Sequence, residues 1–185
     1  MTSSNPAFHR LLSFFAVRSA HPNTTTITFL DSLRGDLSVG LNFPFALALA
    51  LIRHIVFRNS GYFSIHVPTV RSTRKLLGGP GAFRIDEDRR YGALELVGAV
   101  NGAISKLDAF GVWALAADSQ GRVSGRDVRL FQKGEIMEKL VERRRIGRAN
   151  VLSPWRGGPI WVTGHSWAVK TFFDVDVYRN DIKDT

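Results

Sequence analysis

Phe8, Leu11, Leu12 and Phe15 recur three and four residues apart, which predicts a first amphipathic helix. Arg18 to Thr26 is polar, contains His21-Pro22-Asn23 and three threonines, and reads as a loop. Helical spacing resumes at Leu30, Leu33 and Leu37. Thr28 is placed to cap this second helix, with Asp31 as the acid of a capping box, and Gly40 to end it. Phe43 to Phe57 is then apolar except for Arg53 and His54. Pro44 stands near its start, where a missing N–H costs little, and Gly61 follows its end. This run predicts a buried or interfacial helix.

Residues 62–68 alternate weakly and predict a short strand or an extended approach. Val70 to Leu77 is basic with helical character, and Gly78-Gly79-Pro80-Gly81 breaks the chain. That glycine cluster lacks the Lys-Ser/Thr of a phosphate loop. Leu94, Val97, Val100, Ile104 and Leu107 predict one helix across Tyr91 to Leu107. Val128, Ile136, Leu140 and Val141 predict another from Arg126 to Arg145, with Glu135 and Lys139 as an i,i+4 pair and arginines in its last turn. Beyond Gly147, tryptophans mix with Gly and Pro. Phe173, Val175 and Val177 alternate with Asp174 and Asp176, the pattern of a terminal strand. No internal repeat stands out. The expected class is mostly α with minor β, the β concentrated near the C-terminus.

Composition narrows the chemistry. A chain of 185 residues with 44% hydrophobic and 22% charged residues can bury one core. It has no cysteine, which excludes disulfides, thiolate ligation of haem, cysteine zinc sites and a cysteine nucleophile. The formal net charge of +9 favours an anionic partner: acidic lipid, nucleic acid or a carboxylate substrate. No zinc-finger, RRM or KH pattern appears, so no nucleic-acid partner is expected. The N-terminus lacks the charged start and long apolar core of a secretory signal. The apolar run is shorter than the ~20 residues of a membrane span. The expected location is therefore intracellular, either cytoplasmic or peripheral to a membrane.

The order from Asp31 to Phe57 — a helix closing on Arg34-Gly35, then Gly40, Asn42 and a Pro-bearing apolar segment — resembles the caleosins, lipid-droplet proteins that include haem peroxygenases. Further blocks resemble the family: Arg10 to Ala16; Gly81-Ala82-Phe83; Asn101; Asp108-Ala109-Phe110-Gly111-Val112-Trp113; Asp118 to Val123; and Asp127-Val128-Arg129. The resemblance covers most of residues 8–135. It implies a degenerate EF-hand-like helical domain over 1–148 with a buried apolar helix. Residues 149–185 would form an aromatic-rich extension packed on it. The family's calcium and haem positions carry other residues. Residues 17–30 contain no carboxylate, and Asp31 stands alone at the closing acidic position. The histidine positions correspond to Leu11 and to Arg71 or Lys75, none a usual axial ligand of haem. No cofactor and no metal are expected.

A shell without haem or calcium can still bind a lipophilic molecule. The expectation is a cofactor-independent biosynthetic enzyme that promotes cyclisation, a pericyclic step such as an intramolecular Diels–Alder reaction, or isomerisation of a terpenoid- or polyketide-like substrate. Such chemistry needs a shaped apolar pocket and one or two hydrogen-bond donors. His54, His66, Asp108 and Lys75 are the candidate catalytic groups, with His165 as a further polar candidate. Tyr62, Arg71, Phe83, Phe110, Trp113 and Trp161 are the candidate substrate-binding residues, with Trp155 and Trp167 as further walls. Two other readings stay open. One is a non-enzymatic lipid-droplet or membrane-surface protein, and the other is a peroxygenase with displaced haem ligands. Assembly into a homo-oligomer is also open.

Overall fold

A computed structural model describes residues 6–18, 25–61, 63–70, 76–78 and 84–178. The described residues are mostly helical, with two two-stranded antiparallel sheets. The chain divides into two compact units. The first comprises residues 1–13 and 68–137, and the second 14–67 and 138–185. The divisions fall inside helices α1 (Pro6–Val17) and α7 (Ile136–Arg145).

In the first unit, strands β3 (Arg90–Tyr91) and β4 (Val123–Ser124) pair Arg90 with Ser124 and Tyr91 with Val123. Helices α4 (Ala93–Gly98) and α6 (Gly125–Lys133) follow them directly. The two strand–helix junctions share a layout that the sequence reading missed. Asp86 Oδ1 accepts the Asp88 N–H at 3.0 Å, and Asp118 Oδ1 accepts those of Gln120 and Arg122 at 2.9 and 3.1 Å. Each strand ends on a helix cap, Gly92 or Ser124. Three residues later Glu95 or Asp127 completes the cap, by Glu95 Oε2 accepting the Gly92 N–H and by the Asp127 N–H donating to Ser124 Oγ. This is a weak internal repeat, carried by turn chemistry rather than by apolar identity.

Two expected long helices are each broken by glycine. The helix predicted over Tyr91 to Leu107 is α4 and α5 (Ala103–Ala116), separated at Gly102, whose φ is +85°. The helix predicted over Arg126 to Arg145 is α6 and α7, separated at Gly134 with φ +76°. A Cβ on Gly134 would lie 2.0 Å from the Ala7 carbonyl oxygen, so a close backbone approach as well as the left-handed turn selects glycine there. Val128, Ile136, Leu140 and Val141 are buried as the periodicity predicts. Glu135 stands before α7, and its carboxylate is 3.8 Å from Arg10 Nε.

In the second unit, β1 (Thr26–Ile27) pairs with β2 (Ile65–His66), Thr26 opposite His66 and Ile27 opposite Ile65. Between them run α2 (Phe29–Ser38) and α3 (Phe43–Phe57), packed on each other. The Thr28–Asp31 capping box forms as the sequence predicts: Asp31 Oδ2 accepts from the Thr28 N–H at 2.9 Å and its hydroxyl at 2.7 Å. Gly40 turns the chain with φ +90°. A Cβ there would meet Arg144 Cδ at 2.9 Å. Asn42 caps α3 through the Phe45 N–H. Its own N–H donates to the Gly157 carbonyl at 2.6 Å, tying the start of α3 to residues 157–158.

The expected terminal strand is absent among the described residues. Val162–Phe173 forms helix α8, with Ser166 and Val169 buried, and Asp174 to Val177 is irregular. The alternation over 173–177 yields one deeply buried residue, Val177, without a partner strand. The second departure concerns α3. Only Ala46, Ala50 and His54 of its fifteen residues are buried. Of the two expectations for this run, buried or interfacial, the exposure of α3 removes the buried one that the family resemblance implied.

Candidate functional site

Small residues at a spacing of four let one narrow stripe of α3 lie against α2. Both polar side chains of α3 turn inward. Arg53 is 14% exposed and forms a bidentate pair with Asp36 of α2, at 2.8 and 2.9 Å. Its guanidinium also stacks 3.8 Å from the centre of the Phe15 ring. Burial pushes the Asp36 carboxyl up, and the Arg53 guanidinium pulls it back.

His54 is wholly buried. Its Nδ1 is 2.7 Å from the Phe63 carbonyl oxygen and its Nε2 is 2.9 Å from Ser32 Oγ. A carbonyl only accepts, so Nδ1 carries the proton and Nε2 accepts from the Ser32 hydroxyl. Burial lowers its pKa and so favours the neutral ring, while bonds to backbone carbonyls oppose this. Phe29 and Phe63 flank it, at ring separations of 5.8 and 5.1 Å. Phe63 itself holds φ +57°, a conformation that a bulky residue rarely adopts and that the His54 bond helps to fix.

With its polar groups inside, α3 presents apolar side chains to solvent. Phe45 is 49% exposed, Ile52 57%, Ile55 66% and Val56 60%. Phe43, Leu49 and Leu51 are also exposed. The apolar surface continues beyond the helix. Phe43 packs on Phe173 with ring centres 5.9 Å apart, and a Cβ on Gly157 would lie 3.3 Å from Phe45 Cγ. Trp155, Ile160, Trp161, Trp167 and Phe172 of the same unit are exposed. The pattern is the reverse of an ordinary surface helix, whose apolar stripe faces inward.

Beside Phe173 lies a cleft of about 360 Å³, lined by Arg18, Arg34, Ser38, Val141, Arg145 and residues 173–176. It is a cationic cleft and not the aromatic pocket of the sequence reading.

The predicted site residues that the structure describes divide between the two units. His54, His66 and Trp161 belong to the second unit, and Asp108, Phe110 and Trp113 to the first. His54 is a core residue with both ring nitrogens bonded. His66 is half-buried in β2, where Asn59 brackets its backbone at 2.7 and 3.0 Å. Asp108 is buried inside α5, not at its cap. Phe110 is exposed on α5 and rests on Trp113, whose indole N–H donates to the Gly121 carbonyl at 2.8 Å. Trp161 caps α8 with its ring over Gly164. Lys75, Tyr62, Arg71 and Phe83 lie outside the described residues. His165 is half-buried on α8. Burial lowers its pKa, with the Leu41 backbone opposing. Trp155 and Trp167 are exposed.

The Asp31 carboxylate, held in the cap of α2, and the His54 ring are already engaged and offer calcium or haem no ligand. At the β3–β4 turns, arginines meet the carboxylates: Arg90 with Asp118 at 2.9 Å, Arg126 with Asp88 at 3.2 Å, Arg129 with Glu87 at 3.5 Å, and Arg89 with Glu95. Guanidinium groups thus take the anionic oxygens that a divalent ion would need. Among the described residues no cluster of three metal-ligating side chains occurs. His54 has no free nitrogen, and His9 Nε2 lies 3.0 Å from the Val70 carbonyl oxygen. Among the described residues no helix is long and apolar enough to cross a membrane.

Sequence reasoning missed Arg18 and Arg145, and it quoted Arg34 only as part of a motif. These residues come from three distant segments, so no local spacing marks them. The only available signal was the excess of arginine. Comparison of the chain with protein-family models, curated proteins and solved structures finds no match.

Proposed function

We propose that this protein docks peripherally on a lipid surface through the outer face of α3 and handles an amphiphilic or lipophilic compound there. One observation carries the reading: both polar residues of α3 are turned into the fold while its apolar residues face outward. A helix with this inverted pattern gains free energy only when an apolar phase covers it. Lipid is the occupant that the rest of the unit suits. Exposed tryptophans favour the membrane–water boundary, and the chain's +9 charge favours anionic headgroups. The resemblance to caleosins supports a lipid droplet or the endoplasmic reticulum as that surface.

The direct test is flotation of the detergent-free protein with vesicles, neutral and anionic. The protein is expected to float with both, more strongly with anionic ones. A protein that stays at the bottom of the gradient with both would sink the reading.

A second reading has its own supporting observation. Phe173 both lines the cleft and packs on Phe43, so the apolar face and the cleft adjoin. A cofactor-independent cyclase, pericyclase or isomerase of a terpenoid- or polyketide-like substrate could collect that substrate from lipid by this route. Its test is metabolite profiling of cells lacking the chain. Build-up of an uncyclised isomer supports it, and an unchanged profile removes it.

A further inference from the structure

The cleft of the second unit has a charge pattern that docking alone does not explain. Arg18 follows α1, Arg34 lies on α2 and Arg145 ends α7, and all three line about 360 Å³ of space. Asp174 and Asp176 line it as well, but Lys170 engages both, at 3.1 and 2.9 Å. The lining thus carries three guanidiniums and two carboxylates, and both carboxylates already have a partner in Lys170.

The arginines keep donors in reserve. Arg34 donates its Nε–H to the Phe173 carbonyl at 3.2 Å, and its two terminal amino groups make no bond among the described residues. Arg145 makes no hydrogen bond or ion pair among the described residues. Arg18 is stacked 3.7 Å over the Phe14 ring and donates one N–H to the Phe14 carbonyl at 3.3 Å. Burial lowers the Arg18 pKa; Glu138 opposes this and the Arg145 charge adds to it. Like charges that line one cleft, Arg18 among them half-buried, are relieved by an anion. Guanidinium forks fit the oxygens of phosphate and carboxylate.

We propose that this cleft binds one oxyanionic group, a phosphate or carboxylate, between Arg18, Arg34 and Arg145. Its favoured source is the head of an amphiphile whose tail leaves over Phe173 towards Phe43 and the outer face of α3. The tail path rests on the docking reading, whereas the head-group site stands on the cleft alone.

The experiment is calorimetric titration of the full chain with inorganic phosphate and with decyl phosphate kept below its micelle concentration. Decyl phosphate is expected to bind the more tightly. Arg145→Gln and Arg34→Gln should each weaken it by about tenfold or more, the loss expected for one charge-assisted contact. Arg126→Gln removes the same charge from the first unit and should leave binding within about twofold. Because Arg34 also anchors the Phe173 backbone, Arg34→Lys serves as a second variant that keeps the charge and loses the fork. It too should weaken binding. Equal affinity for both probes, still lost in Arg145→Gln, supports the anion site and assigns it to a free anion. No heat with either probe overturns the site, as does an equal loss in Arg126→Gln. Flotation of Arg145→Gln with neutral vesicles separates the two ideas. Continued flotation with anion binding lost leaves docking intact and confirms the cleft's role. Native anion binding by a protein that does not float leaves the cleft and removes docking.

Discussion

Replacing His54 by Ala tests whether this histidine is structural. The substitution removes the partner of the Ser32 hydroxyl and of the Phe63 carbonyl, both bonded to the ring at 2.9 and 2.7 Å. Each buried polar group left unmatched costs about 1–3 kcal/mol. Emptying the space between Phe29 and Phe63 adds about 1–2 kcal/mol. The sum is about 3–8 kcal/mol, which in a chain of this size lowers the melting temperature by roughly 6–30 °C. The pH dependence follows from the same geometry. Burial holds the folded-state pKa of His54 below the ordinary value of a free imidazole. Below about pH 6.5 the unfolded chain therefore takes up a proton that the folded chain does not, and stability falls as pH falls. His165 acts in the same direction, so His54→Ala should flatten the loss between pH 7 and 5 without abolishing it. Thermal unfolding followed by circular dichroism at several pH values measures both effects. A variant melting within about 2 °C of the native protein, with the same pH slope, would refute the structural role.

Other consequences can be measured in the same way. Asp36→Ala strands the buried Arg53 guanidinium and should cost about 3–5 kcal/mol in denaturant unfolding, whereas the pair Asp36→Leu with Arg53→Met should cost far less. Gly40→Ala places a Cβ in a left-handed position and 2.9 Å from Arg144 Cδ, so its melting temperature should fall by several degrees. Ile52→Ser, Ile55→Ser and Val56→Ser together remove three half- to two-thirds-exposed apolar side chains. At about 1 kcal/mol or slightly more for each, vesicle affinity should drop roughly a hundred- to several-hundredfold with little change in melting temperature.

Local features of the fold were legible in the sequence. The Thr28–Asp31 capping box, the bounds of α3 and the Gly40 turn each depend on residues within a few positions of one another. The breaks at Gly102 and Gly134 were harder, because an apolar period continues across a glycine that has left the helix. The alternation over 173–177 misled because a period of two needs a neighbouring strand to become β. The exposure of α3 could not be read from its periodicity. A helix apolar on nearly every side has no phase, and partners outside the helix — Asp36 and Phe15 for Arg53, Ser32 and the Phe63 carbonyl for His54 — determine which way its two polar residues turn. The arginine cleft was invisible for a different reason: its lining comes from α1, α2, α7 and the chain after α8, and charge says nothing about which arginines meet.

The absence of cysteine makes one measurement especially direct. Ile55→Cys provides a unique attachment point for an environment-sensitive fluorophore on the outer face of α3, and Arg126→Cys provides one on α6. Docking through α3 predicts a blue-shifted, brighter emission from the label at position 55 when vesicles are added, and none from the label at 126. No change at 55, or the same change at both positions, would contradict the account.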